Sequence, residues 1–312
     1  MGLELLEYRL KGLVSRMYLK NSWVVLMGLM SNLRVAYYLV RREFKIWTYY
    51  RVNFILDIIE VLIDLVVMAI IALASRDVVA PKLSVYGGDY LSYVVLGLIC
   101  NRILSMAVNA PYSSIGRAFW QRRIELFLSS PLNPVFLVSA LSLGSIVRES
   151  IMAILYLVAA LALGLRVSSL GLTSILAMLL GFTACLGLGL MSASLFYLLE
   201  AKAGSDPLRW IINISSRLFS GLYYPLEVLP FWCRYLALLT PHTYVFDAVR
   251  RLLLNGTSEP ILVVHYILLA DPVLIDLFCL LAYSLISVLL GYFMTKSGFK
   301  IALKDARLSW WS

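Results

Sequence analysis

Six long apolar blocks decide what this chain can fold into, each near the roughly 20 residues an α-helix needs to cross about 30 Å of hydrocarbon. They fall at about Val52 to Ala74, Tyr90 to Ala110, Val135 to Leu163, Leu170 to Leu199, Leu208 to Leu222 and Val273 to Met294. Inside a bilayer every backbone amide must be paired within its own segment, so blocks of this kind become helices. The chain is 61% hydrophobic and only 14% charged, against about 25% charged in a soluble domain. The predicted fold is therefore all-α, a polytopic membrane protein with six transmembrane helices. The fifth block is too short to cross simply, and the long third and fourth imply tilt or a break.

Orientation follows from Lys and Arg, which concentrate in cytoplasmic loops. Residues 1–50 carry 8, 111–133 carry 3, 199–209 carry 2 and 296–312 carry 4; the opposite-side segments hold only 6. Both termini are expected in the cytoplasm, with the protein multi-pass in the cell membrane. The net charge of +9 is accounted for by this asymmetry and by attraction to anionic lipid, so no nucleic-acid partner is implied. The opening MGLELLEYRLKG is acidic early and the next apolar stretch lacks a small-residue cleavage site, so no cleaved signal is expected. Trp23 to Val40 places Asn32 and Arg34 near its middle, which favours an interfacial helix over a seventh span. The domain organisation read from this is an N-terminal interfacial segment over 1–50, a six-helix transmembrane bundle over 51–298 and a cytoplasmic tail over 299–312.

The connectors carry more information than the spans. On the cytoplasmic side, residues 112–130 read as an amphipathic helix bounded by Pro111 and Pro131. Trp120, Ile124, Phe127 and Leu128 form its apolar face, and Arg117, Gln121 and Glu125 its polar stripe. On the outer side, two apolar stretches, Phe231 to Leu239 and Tyr244 to Leu254, are each too short to span and are separated by Thr240 and Pro241. They predict a re-entrant helical hairpin in the outer leaflet over 223–254, positioned as an outer gate.

Charges inside the spans point to the interior of the bundle. Asn53, Asp57, Glu60 and Asp64 follow one another at spacings of 4, 3 and 4, one helical face. Arg102 lies in the second block, Arg148 and Glu149 in the third, Arg217 in the fifth. Such groups need partners or a wet cavity; ion pairing, an ion path and substrate contact all satisfy that demand. The four cysteines, at 100, 185, 233 and 279, include no CxxC pair, and His242 and His265 have no ligand-spaced neighbours. Neither a disulfide framework nor a metal site is expected.

The connectors resemble those of type-2 ABC exporter permeases. RRIELFLSSPL is similar to that family's GTLE…L…TP stretch after the coupling helix, through Ile124, Glu125, Leu128, Pro131 and Leu132, with Arg122 and Arg123 in place of Gly-Thr. The outer segment is similar to SG…YP.E.LP.W through Ser220, Gly221, Tyr224, Pro225, Glu227, Leu229, Pro230 and Trp232. Pro241, Thr243, Tyr244, Asp247 and Arg250 continue it as P.TY..D..R, with His242 where an apolar residue is common.

The resemblance implies a permease subunit of an ATP-driven exporter, a homodimer or heterodimer that binds two cytoplasmic ATP-binding subunits. ATP and Mg would be bound by those partners, with no cofactor on this chain. The ATPase contacts it implies are Arg117, Phe119, Trp120, Arg123 and Glu125, and the outer gate comprises Tyr224, Pro225, Glu227, Pro230, Trp232, Pro241, Tyr244, Asp247 and Arg250. Substrates compatible with it are a hydrophobic or amphipathic drug, a lipid or a lipid-linked glycan. Independently, none of the 18 glycines is followed by lysine, so the chain lacks a phosphate-cradling Walker A loop and is not expected to be an enzyme. The alternative is an ATP-independent secondary transporter or channel using the Asp57, Glu60 and Asp64 face; no internal inverted repeat is evident to favour it.

Overall fold

The computed structural model describes residues 33–74, 83, 85–87, 89–121, 133–165, 171–198, 206–254, 256–257, 259–268 and 270–304. These are predominantly helical, with no strand among them. Helix α1 covers residues 33–49 and breaks at Tyr50 before α2, Arg51–Ala74. Trp47 Nε1 donates to Asp57 Oδ2 at 2.8 Å. Ten residues on a straight helix would hold those groups about 15 Å apart, so the chain turns sharply at Tyr50.

Helices α3 (Tyr90–Trp120), α4 (Pro134–Ala162), α5 (Leu172–Leu198) and α10 (Pro272–Lys304) form the bundle. Up to Phe196 in α5 and Ile301 in α10, all four are long and apolar enough to cross a membrane. Their starts are set locally: Asp89 and Asn133 cap α3 and α4 through Ser92 N–H and Val135 N–H, and proline opens α4. Helix α5 is the centre of the bundle, packed between α3 and α10. A Cβ on Gly187 would lie 2.5 Å from the Ser287 carbonyl carbon and 2.6 Å from the Val288 nitrogen, so the α5 and α10 backbones are in direct contact there. Ser287 Oγ donates to Ala184 O at 2.9 Å and Thr295 Oγ1 to Leu190 O at 3.0 Å, tying the same pair of helices.

Three expectations change. The predicted break at Pro111 is absent: α3 runs through it to Trp120, 31 residues in all. Proline there removes only the bond to the Ala107 carbonyl, and α5 comes so near that a Cβ on Gly189 would lie 2.5 Å from that oxygen. What was read as the start of a separate amphipathic helix is therefore the end of a spanning one, while Arg123, Glu125 and the rest of 122–130 lie outside the described residues. The fifth block is the second correction. It contains only α6, Pro207–Leu218, about 18 Å long. Arg209 stacks on Tyr112 near one end of α3, and the chain after α6 reaches Tyr93 near the other, where the Tyr93 hydroxyl donates to Gly221 O. A short helix plus a non-helical tail thus covers the distance expected of one span. Finally, α10 continues to Lys304, past the expected tail boundary at 299.

The short helices α7 (Phe231–Ala237) and α8 (Pro241–Leu253) occupy the stretch in which a hairpin is expected, followed by α9, Val263–Leu268. At the opposite end of the bundle Tyr112, Ile115, Phe119, Phe196 and Phe299 make a second core.

Candidate polar groove

The charges singled out from sequence converge on one cavity of about 600 Å³. On α3 its lining is Leu98, Asn101, Arg102, Ser105, Met106, Asn109, Ala110, Ser113 and Arg117. Those positions recur every three or four residues, a single helical face, and they extend over about 28 Å of axis. Asp57, Glu60 and Asp64 of α2 line one side; Ser145, Arg148, Glu149 and Tyr156 of α4 line another, with Arg217 at the end of α6. The polar groove is therefore as long as the hydrocarbon layer is thick, about 30 Å.

Its electrostatics are uneven. Glu149 holds two arginines, Arg148 Nη2 at 2.9 Å and Arg102 Nη2 at 3.5 Å, so ion pairing between α3 and α4 is real. Arg117 Nη2 donates to Ser145 Oγ at 2.8 Å, and Asn213 joins Asn109 at 2.9 Å to bring α6 against the groove. The α2 carboxylates behave differently. Asp57 accepts from Trp47 and Asp64 faces the Tyr156 hydroxyl, yet among the described residues none of the three is ion-paired to an arginine. Glu60 and Arg217 are both exposed. Sequence reading identified Arg102 but missed Asn101, Ser105, Asn109 and Ser113. Their signal was present as polar residues at a four-residue period within an apolar block.

The residues assigned to an outer gate divide into two groups. Arg250 is buried and donates from Nε to Tyr93 O at 3.0 Å, from Nη1 to Gly221 O at 2.7 Å and from Nη2 to Leu222 O at 2.8 Å, while stacking 3.5 Å above the Tyr93 ring. It clamps the chain leaving α6. Asp247, also buried, accepts from the Tyr86 hydroxyl and from Arg251 Nε at 2.9 Å. Burial first, and then the Asp247 carboxylate, raise the Tyr86 pKa well above its ordinary value. Tyr244 donates to Leu238 O, Tyr224 to Leu218 O, and Pro225 and Pro241 are buried. These side chains lock the hairpin in place. Glu227, Pro230 and Trp232 instead lie on its exposed face, with Phe231 and Leu239.

The lock includes residues that the sequence reading did not name: Arg251, Tyr86 and Asp276, and His265, noted there without a role. Oxygen and nitrogen atoms of Asp247, His265 and Asp276 lie within 4.8 Å of one another, a spacing that also suits a cation. Their donors are already committed. His265 Nδ1 accepts from Ile261 N and Leu262 N at 3.5 and 3.4 Å, leaving Nε2 to donate to Asp276 Oδ1 at 2.9 Å, and Arg251 holds Asp247. Phe119 also differs from expectation. It is 4% exposed and packs on Phe196, whereas neighbouring Trp120 is 59% exposed.

Residues 34–254 match the family described as ABC-2 type transporter. The chain belongs to that family. The match spans the groove and the hairpin but ends before α9 and α10, so the matched part, residues 34–254 of 312, holds the polar lining. Membership makes the chain a multi-pass membrane permease component that associates with an ATP-binding subunit. No curated protein matches the chain.

Proposed function

We propose that this chain is the membrane subunit of an ATP-driven exporter in the cell membrane, paired with a second permease copy and two cytoplasmic ATP-binding subunits that carry ATP and Mg. The observation that carries this reading is the polar groove, whose lining on α3 continues from the hairpin end of the helix to Arg117, three residues before Trp120. A push at Trp120 is thus delivered to the helix that forms the groove's longest wall. Six passes with both termini in the cytoplasm put Trp120, Arg123 and Glu125 on the ATPase side and the α7–α8 hairpin on the outside, consistent with the Lys and Arg asymmetry. Closure of the ATP-binding subunits would re-pack the two bundles as rigid bodies and open the groove outward past the hairpin.

The test is co-purification of the tagged chain with an ATP-binding subunit, followed by vanadate-sensitive transport in vesicles. Glu125→Ala is expected to abolish transport while ATP hydrolysis and expression persist; normal coupling in that variant would remove Glu125 from the mechanism. The carboxylates on α2 favour a second reading, an ATP-independent transporter or channel. Flux that continues without nucleotide, and stops in Asp57→Asn, would select it.

A further inference from the structure

We infer that the groove binds a zwitterionic head group, with an amine against α2 and a phosphate or carboxylate against the arginines, on an amphipathic molecule. This rests on the groove being the permease's substrate path. The two walls carry opposite charge: Asp57, Glu60 and Asp64 on α2, and Arg102, Arg148 and Arg217 opposite. On the basic wall Glu149 is shared by two arginines, and among the described residues no ion pair crosses to α2. Arg102 and Arg148 each retain a buried Nε without a hydrogen-bond partner. Carboxylates without a cation on one wall, and two arginines sharing a single carboxylate on the other, leave charge of both signs undercompensated, which is costly in an intramembrane cavity. A lone cation relieves only the acidic wall and a lone anion only the basic one. A dipolar ligand relieves both, and 600 Å³ suits a small-molecule site, for which about 300–1,000 Å³ is usual. Leu56 and Ile63 beside the carboxylates are 56% and 58% exposed in the single chain, an apolar flank where an alkyl tail can lie between α2 and a second copy seated on it.

The experiment titrates the purified full chain, in uncharged maltoside micelles, with dodecylphosphocholine, dodecyl phosphate and dodecyltrimethylammonium, three probes with one chain length. Dodecylphosphocholine is expected to bind about tenfold tighter than either singly charged probe, the effect of one further desolvated charge contact. Glu60→Gln is expected to remove the preference over dodecyl phosphate, and Arg217→Gln the preference over dodecyltrimethylammonium. Both residues are exposed, so unchanged elution and melting will report an intact fold. Equal binding of all three probes, or a preference that survives both substitutions, overturns the proposal. Chainless phosphocholine separates two sources of the same chemistry: weaker binding than the chain-bearing probe assigns a lipid head, equal binding a free zwitterion, and either upholds the site. Binding is read without ATP or a partner subunit, so its failure is distinct from a failure of co-purification, which tests the permease reading.

Discussion

At the scale of single residues, most of the hairpin's order depends on Arg250. Its planar guanidinium satisfies three carbonyls from two segments at once, and one of them belongs to Gly221, whose φ of +75° admits glycine most readily. Lysine cannot reproduce the fork. Arg250→Lys is expected to leave buried carbonyls unmet at about 1–3 kcal/mol each, read as a lower melting temperature of the detergent-solubilised chain. His242 offers a pH test. It is fully buried without a hydrogen-bond partner, and burial pushes its pKa down from 6.5 to about 4. The unfolded chain therefore binds the proton first as the pH drops. The stability of the neutral form is complete above about pH 6.5 and is lost as pH falls towards 4, about 3 kcal/mol over the window. His242→Leu is expected to flatten melting temperature against pH between 6.5 and 4. Burial also lowers the His265 pKa, so a smaller acid dependence of the same sign will persist.

Among the elements, α5 meets α10 by direct backbone contact, and Gly187 is where that contact is most open to test. A methyl group there meets backbone atoms of Ser287 and Val288 that cannot rotate aside. Gly187→Ala is expected to cost about 1–3 kcal/mol by overpacking, again as a lower melting temperature, whereas Gly116→Ala, with open space around it, is expected to be neutral. The four long apolar helices and the charged face of α2 were legible in the sequence, each a local pattern of period or length. Continuity of α3 through Pro111 was not legible, because proline's local rule predicts a break and packing by α5 overrides it. The Asp247, Arg251 and His265 lock was also hidden, since Tyr86 and Asp276 come from distant segments and their pairing is a property of tertiary structure alone.

For the whole molecule, the groove is open along α2, and this decides which surface a second copy covers. Helix α2 has only Val61, Leu65 and Ala72 buried, and its exposed carboxylate and apolar residues lie together on the unpacked side. Charged groups of that kind cannot face lipid at low cost, whereas the exposed side of α10, with Phe278 and Leu285, is apolar and suits lipid. A second permease copy is therefore expected to seat against α2. Cysteines placed at Leu56 or Ile63 are expected to form disulfide-linked dimers in membranes treated with copper-phenanthroline, and those at Phe278 or Leu285 to remain monomeric. Exposure does not separate the two sets, at 56% and 58% against 66% and 57%, so collision alone would cross-link them equally. Of the native thiols, three are buried and Cys279 is half-buried, so the background is expected to be low. Cross-linking through α10 and not α2 would mean that the groove faces away from the partner, and the exit path would then have to lie within a single copy.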